Sequence, residues 1–188
     1  MLHAFVVIIL LLAHAPSWAA EVQSVDAGEE NGRYIASFDA VIDAPMDRTL
    51  HLMLTPGLWP RLSPIIVDAE VLEKAENGPG KVRIKFYDCI FIFCKTFQKI
   101  EDVSIAADGH VTSLAIPDQS DFDYAREDWQ VFAEGGRTHI RYKTEMVPNF
   151  FVPPLIGPYV IKSHIRTELV HIVTNLEEIA LHEDRPPP

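Results

Sequence analysis

Basic residues and cysteine are both scarce in this chain. Lys and Arg number 16 against 27 Asp and Glu, a formal charge of −11 over 188 residues. That balance argues against a nucleic-acid partner, since phosphate binding needs a basic surface. It also argues against broad attraction to an anionic membrane, though not against local insertion of apolar loops. The motifs G-x-S-x-G and H-E-x-x-H and a Gly-rich phosphate loop are all missing, so the common hydrolase, zincin and nucleotide chemistries have no sequence support. No N-x-S/T sequon occurs. No apolar run reaches the roughly 20 residues of a membrane span.

The one uninterrupted apolar run is Ala4–Ala13, 10 residues long. Its length suits the h-region of a signal peptide. Pro16 ends it, and Ser17 and Ala19 supply small residues at −3 and −1 of a cleavage site before Ala20. The segment lacks the usual Lys or Arg at its start. An uncleaved anchor and a misassigned start are the other readings. Residues 1–19 are therefore expected to be a signal peptide, 20–182 one domain, and 183–188 (EDRPPP) a disordered tail. The protein is expected to be exported, either periplasmic or secreted. A hydrophobic fraction of 48% over this length is enough for a sizeable core.

The only cysteines, Cys89 and Cys94, stand in YDCIFIFCKT. Export makes a disulfide the default. Five residues of extended strand span about 16 Å, whereas a disulfide needs Cα atoms within about 7 Å. The chain must then turn between them, in a hairpin tipped by Ile90-Phe91-Ile92-Phe93. That tip has no Gly, Pro, Asn or Asp. The alternative is one continuous strand with two free thiols. The spacing does not suit zinc.

Apolar alternation predicts a strand over Tyr34–Asp43, then a helix over Met46–Thr55 with Asp43 as candidate N-cap. Pro56–Pro64 is a proline-rich connection with one helical turn at Leu58–Leu62. Six strands follow: Ile65–Ala75, Lys81–Asp88, Lys95–Ile105, Val111–Ile116, Tyr124–Ala133 and Thr138–Val147. Their short connections imply an antiparallel meander. An amphipathic helix over Tyr159–His182 carries Ile161, Ile165, Leu169, Ile172, Leu176 and Ile179 at steps of three and four.

This order, with Val41–Pro64 (VIDAPMDRTLHLMLTPGLWPRLSP), the Trp129 strand, Gly135-Gly136-Arg137-Thr138 and a last helix ending LEEIA, resembles the START-like (SRPBCC) superfamily. Its polyketide cyclase/dehydrase and coenzyme-Q-binding branch is the nearest in look. The resemblance runs over residues 22–180. It implies an α+β helix-grip fold: a curved antiparallel seven-stranded sheet wrapped around a long C-terminal helix, with two short helices after the first strand. It also implies an elongated apolar cavity between sheet and helix. Members bind lipids, sterols, quinones, polyketides or hormones there, some as enzymes and many as carriers.

Strand parity names the cavity wall. Trp129 and Val131 should face the helix, as should Tyr142, Thr144 and Met146, with Phe86 and Leu114 on the neighbouring hairpins. Glu127 shares the parity of Trp129. It is either an inward polar anchor or acid/base group, or a rim residue in water. Alternate connections of a meander fall at one end of the sheet. Pro56–Pro64, the Cys89–Cys94 tip, Pro117–Asp123 and Pro148–Pro158 should therefore share a rim. Trp59, Phe91, Phe93, Phe150 and Phe151 then either form a cavity mouth or fold inward and plug it. His51, His164 and His171 and the acidic Asp118, Asp121 and Asp123 read as solvated side chains, with no metal or cofactor expected. The expected activity is an exported, soluble, non-catalytic protein holding a lipid-like or quinone-like molecule, with transient membrane contact through its apolar loops. The alternatives are a cyclase/dehydratase-type enzyme, or an envelope interaction module with a filled cavity.

Overall fold

A computed structural model describes residues 20–90, 93–152 and 157–182. The expected signal segment 1–19, the hairpin tip Phe91-Ile92 and the tail 183–188 lie outside the described residues. Strands β1 (Glu21–Glu30) and β2 (Arg33–Ile42) lead into helix α1 (Met46–Met53) and a 3-10 turn, Pro56–Arg61. Then come β3 (Ile66–Glu73), β4 (Gly80–Ile90), β5 (Phe93–Ile105), β6 (His110–Ala115), β7 (Phe122–Glu134), β8 (Arg137–Pro148) and helix α2 (Gly157–His182). All pairs are antiparallel, in the order β1-β2-β8-β7-β6-β5-β4-β3. From β3 to β8 this is the expected meander.

The sheet has eight strands, not seven. The added one, β1, is an edge strand with sequence EVQSVDAGEE. Only Val22, Val25 and Ala27 of it reach the core, and a bulge between Val22 and Ser24 breaks the alternation. Its partner is reached through Asn31-Gly32, both at positive φ (54° and 80°). Positive φ at both central residues matches the right-handed twist of a two-residue hairpin, and Asn-Gly supplies it. A second correction concerns α1. Its N-cap is Pro45, not Asp43, and no side chain caps it. Asp43 instead donates its backbone N–H to Glu177 on α2, at 3.2 Å.

The main core lies under the second half of α2. Leu169, Val173, Leu176 and Ala180 pack on Ala36, Phe38, Ala40 and Ile42 of β2, on Ile140 and Tyr142 of β8, and on Leu52 of α1. Alanines at alternate positions of β2 leave room for the helix to lie close. Each fully buried leucine here stabilises the fold by about 1.5–3 kcal/mol. Polar ties complete the contact. Asn175 Nδ2 donates to Leu62 O at 2.9 Å, and Arg48 Nη1 donates to Ala180 O at 3.3 Å. Burial first, and the nearby Asp43 carboxylate, push the Glu177 carboxyl above the usual range.

The β5–β6 turn shows how tightly α1 meets the sheet. At Gly109 (φ 83°), an added Cβ would stand 2.4 Å from Val131 O and 2.8 Å from Met46 Cε. Gly109→Ala should therefore cost more than about 1 kcal/mol, from strain and collision together. Gly28→Ala, in open space on β1, should stay within about 0.5 kcal/mol of the parent. Urea midpoints of the two variants check this. Equal midpoints would mean that the turn is not held as described.

Candidate functional site

The first half of α2 stands over the inner face of β4 to β8, and a cavity of about 350 Å³ lies between them. Strand parity builds its wall. Ile84 and Phe86 come from β4, Phe97 and Val103 from β5, Val111 from β6, and Ala125 and Trp129 from β7. Tyr142 and Met146 come from β8, while Ile161, Ile165 and Ile172 descend from α2. The aromatic groups are in contact. Phe86 and Phe97 stack at 4.9 Å between centroids, and Trp129 tilts against Tyr142 at 4.0 Å.

Of the wall residues named from sequence, Phe86, Glu127, Trp129, Tyr142 and Met146 line the cavity. Val131 is 1% exposed and lies outside the lining. Thr144 is buried on the same face, and its hydroxyl donates to Arg126 O at 3.1 Å. Leu114 sits on the outer face, 48% exposed. The register Ser113↔Glu127 puts Ser113 inward in its place. Being apolar did not turn Leu114 inward, because β6 can bury only alternate residues.

The rim residues divide. Trp59 lines the cavity and donates Nε1–H to Met53 O at 3.1 Å. Phe150 lines it too, with its ring 5.8 Å from Phe97 and 6.2 Å from Phe122. Phe151, next in the chain, is 83% exposed. Phe93 pairs with Ile90 at the end of the β4–β5 hairpin, and Phe91 lies outside the described residues. Cys89 and Cys94 face each other across that hairpin and form a disulfide. His164 also lines the cavity, with Nε2 2.8 Å from Asp88 Oδ2, at ion-pair distance though outside hydrogen-bond geometry. It is not the freely solvated histidine expected from sequence.

The polar centre is a cluster on the sheet wall. Lys99 Nζ lies 2.8 Å from Glu101 Oε2 and is also bonded to Glu127 Oε1. Ser113 Oγ donates to Glu101 Oε2 at 2.8 Å. Glu127 thus points inward, as one of its two readings held, but it is not a lone carboxylate. Lys99, Glu101 and Ser113 were missed from sequence. For Lys99 and Glu101 the signal was present in FCKTFQKIEDVSI, where Phe97, Lys99, Glu101 and Val103 share one face. Two opposite charges at adjacent positions of an otherwise apolar face mark a buried pair.

Burial by itself would lower the Lys99 pKa, but Glu101 and Glu127 override it and hold the ammonium well above its ordinary value. Burial pushes the Glu101 carboxyl up. Lys99 opposes that shift, Glu127 adds to it, and the net direction is upward. Tyr142 is raised well above the usual phenol, first by burial and then by Glu127. At neutral pH the cluster therefore offers a charged ammonium, a neutral phenol and carboxylate oxygens at the bottom of an apolar cavity. Such a set can hydrogen-bond the polar end of an otherwise apolar molecule. On the helix wall, Glu168 is 8% exposed and accepts from Ser63 Oγ at 2.5 Å. Among the described residues no group of three or more His, Cys, Asp or Glu could hold a metal.

The cluster depends on its one cation. Lys99→Met leaves two carboxylates in low dielectric without a partner, and should cost about 3–5 kcal/mol at pH 7. Burial already pushes the Glu101 carboxyl up and Lys99 opposes that shift, so without Lys99 its folded pKa stands further above its unfolded one, and the penalty is full at high pH and relieved as pH falls through the folded value. Urea melts should show the gap from the parent shrinking as pH is lowered from neutrality. A pH-independent gap would mean that the carboxylates are not the cause.

No protein-family model matches the sequence, and no curated protein matches it. Solved structures do match its fold. The Zhui aromatase/cyclase from Streptomyces sp. R1128 has a TM-score of 0.64 at 13% identity, covering 81% of this chain and 96% of that one. A START superfamily protein from Mycobacterium smegmatis has a TM-score of 0.62 at 15% identity, covering 79% and 98%. A STAR-related lipid transfer protein from Xanthomonas axonopodis has a TM-score of 0.60 at 11% identity, covering 84% and 98%. These likenesses are of fold: the chain has the START-like helix-grip fold.

Proposed function

We propose that this is an exported, non-catalytic binding protein that holds a lipid-like or quinone-like molecule between the sheet and α2. The observation that carries this reading is the cavity itself: about 350 Å³, walled by aliphatic and aromatic side chains, with one compact polar cluster at its sheet side. Ligand sites characteristically combine such an apolar wall with a few placed polar groups. The names of two structural neighbours, a lipid transfer protein and an aromatase/cyclase, agree with an apolar ligand. A filled cavity, which the interaction-module reading requires, is not what surrounds Trp129. Export rests on the pattern of residues 1–19 and on the Cys89–Cys94 disulfide, a bond that persists in oxidising compartments. No described helix is long and apolar enough to cross a membrane. Phe151 and Tyr159, 83% and 75% exposed on either side of the segment leading into α2, support transient contact with a bilayer during ligand entry.

A cyclase/dehydratase-type enzyme has one observation in its favour: Lys99, Glu101, Glu127 and Tyr142 converge within the cavity. Their protonation weighs against it. A general acid or base works best with a pKa near the working pH. Lys99 is held charged and Tyr142 neutral, each displaced away from neutrality, and of the shifted groups in the cluster the Glu101 carboxyl alone moves toward it, with no second tuned group to act as its partner. The cluster suits hydrogen bonding better than proton transfer.

Native mass spectrometry of the oxidised protein should show a bound mass that leaves on solvent extraction and partitions with lipids. Ala125 is 3% exposed and lines the cavity. Ala125→Phe would fill that space and should lower occupancy by about tenfold or more, at a stability cost of about 1–3 kcal/mol. An empty protein without affinity for long-chain alcohols or quinones would sink the reading.

A further inference from the structure

The charges inside the cavity have a consequence for what can enter it. Four carboxylates line it, Asp88, Glu101, Glu127 and Glu168, against two lysines, Lys95 and Lys99. They stand on both walls: Glu101 and Glu127 on the sheet, Glu168 on α2. Lys95 lines the cavity only at its hairpin end. It is exposed, at the hairpin end, with its ammonium 4.0 Å over the Phe150 ring. The interior cation is Lys99, and both sheet carboxylates already share it. Glu168 is occupied by Ser63 and by His171, whose Nδ1 is 3.4 Å from Glu168 Oε1. Asp88 faces His164. The cavity thus has buried acceptors on two sides and no lysine or arginine left over among its buried lining residues, Lys95 standing exposed at the hairpin end.

We propose that this arrangement selects ligands by charge: the cavity takes an apolar molecule ending in an uncharged hydroxyl or phenol, and rejects one ending in a carboxylate or phosphate. This rests on the binding reading above. A carboxylate brought beside Lys99 becomes the third anion around one ammonium, stripped of water and without a counter-charge of its own. A hydroxyl makes no such demand. It donates to a lone pair of Glu127 or Glu101 and accepts from Lys99 or Tyr142. An ammonium head would compete with Lys99 for the same two carboxylates and must also be desolvated. Apolar contact along the chain is common to all three classes, so the head group decides.

The test compares three probes of one chain length, 1-dodecanol, dodecanoate and dodecylammonium, by calorimetric titration of the oxidised full domain at about pH 8. The alcohol should bind at least about tenfold more tightly than either ion. Glu127→Gln removes one of the anions and should narrow the gap between alcohol and carboxylate by about threefold or more. Glu168→Gln on the opposite wall makes the same prediction independently, should the first variant fold poorly. Glu70→Gln, outside the cavity beside Arg83, should leave the gap unchanged. Equal affinity for alcohol and carboxylate overturns the charge rule while leaving the binding reading intact. Tighter binding of the ammonium also overturns it and assigns the cavity to cationic amphiphiles. If none of the three binds, the binding reading fails and the charge rule fails with it.

Discussion

The contact between the second half of α2 and strands β1 and β2 is what the rest of the molecule depends on. Leu169, Val173, Leu176 and Ala180 share one buried cluster with Ala36, Ala40 and Ile140, and Leu169 and Leu176 also border the cavity. A 26-residue helix is about 39 Å long, and a twisted sheet cannot follow a straight rod over that length. Once one half is seated, the other half must rise from the sheet. The change falls near Glu168, where the buried side chains of α2 begin. Beyond it, Ile161, His164 and Ile165 face the cavity instead of a strand. The cavity is thus the geometric remainder of good packing elsewhere. Its volume does not require a weak core, because the tight half supplies the stability.

Burying Lys99, Glu101 and Glu127 is the least economical feature of the wall, and the three groups are tolerable only together. Replacing all three by apolar side chains would leave an apolar wall of ordinary stability, and removing one partner would not. A buried ion cluster is weak evidence for stability, so its presence needs another reason. Position supplies one. Ser113 and Thr144 stand across the ladder from Glu127 on β6 and β8, while Phe86 and Trp129 lie to either side of it along the cavity. On the sheet wall these groups form one island in an apolar surface, separate from Glu168 on α2. An island of this kind orients a ligand, whereas scattered polar groups would only weaken its binding.

Much of this was legible in the sequence where periodicity was strong. The six-strand meander and the last helix followed from alternation and from steps of three and four, and the Cys89–Cys94 hairpin followed from chain reach. The misses have separate physical causes. Strand β1 is an edge strand with one poorly buried face, so EVQSVDAGEE carries little alternation. Asn31-Gly32 beside it was the readable signal. Leu114 was placed inward by its side-chain type, although the register with β7 permits only Ser113 there. Lys99 and Glu101 were passed over for the opposite reason: charge was assigned to solvent when parity assigned it to the cavity. Phe150 and Phe151 were indistinguishable in sequence. In an irregular segment after the last strand, no period says which one turns in.

The disulfide illustrates how a local bond can matter more for the site than for the fold. It closes a short loop, with a sequence separation of 5, so the chain-entropy model assigns it only about 2 kcal/mol. The nearest core side chains are Phe86 and Phe97, a paired position three residues from the cysteines. Next to Cys89 and Cys94 in the ladder, however, stand Asp88 and Lys95 as a paired position. Asp88 faces His164 on α2, and Lys95 covers the Phe150 ring. Fixing the hairpin end therefore fixes both of the groups that link the raised half of the helix and the end of β8 to the sheet. The cross-link acts where the packing of α2 gives no support, at the open end of the cavity.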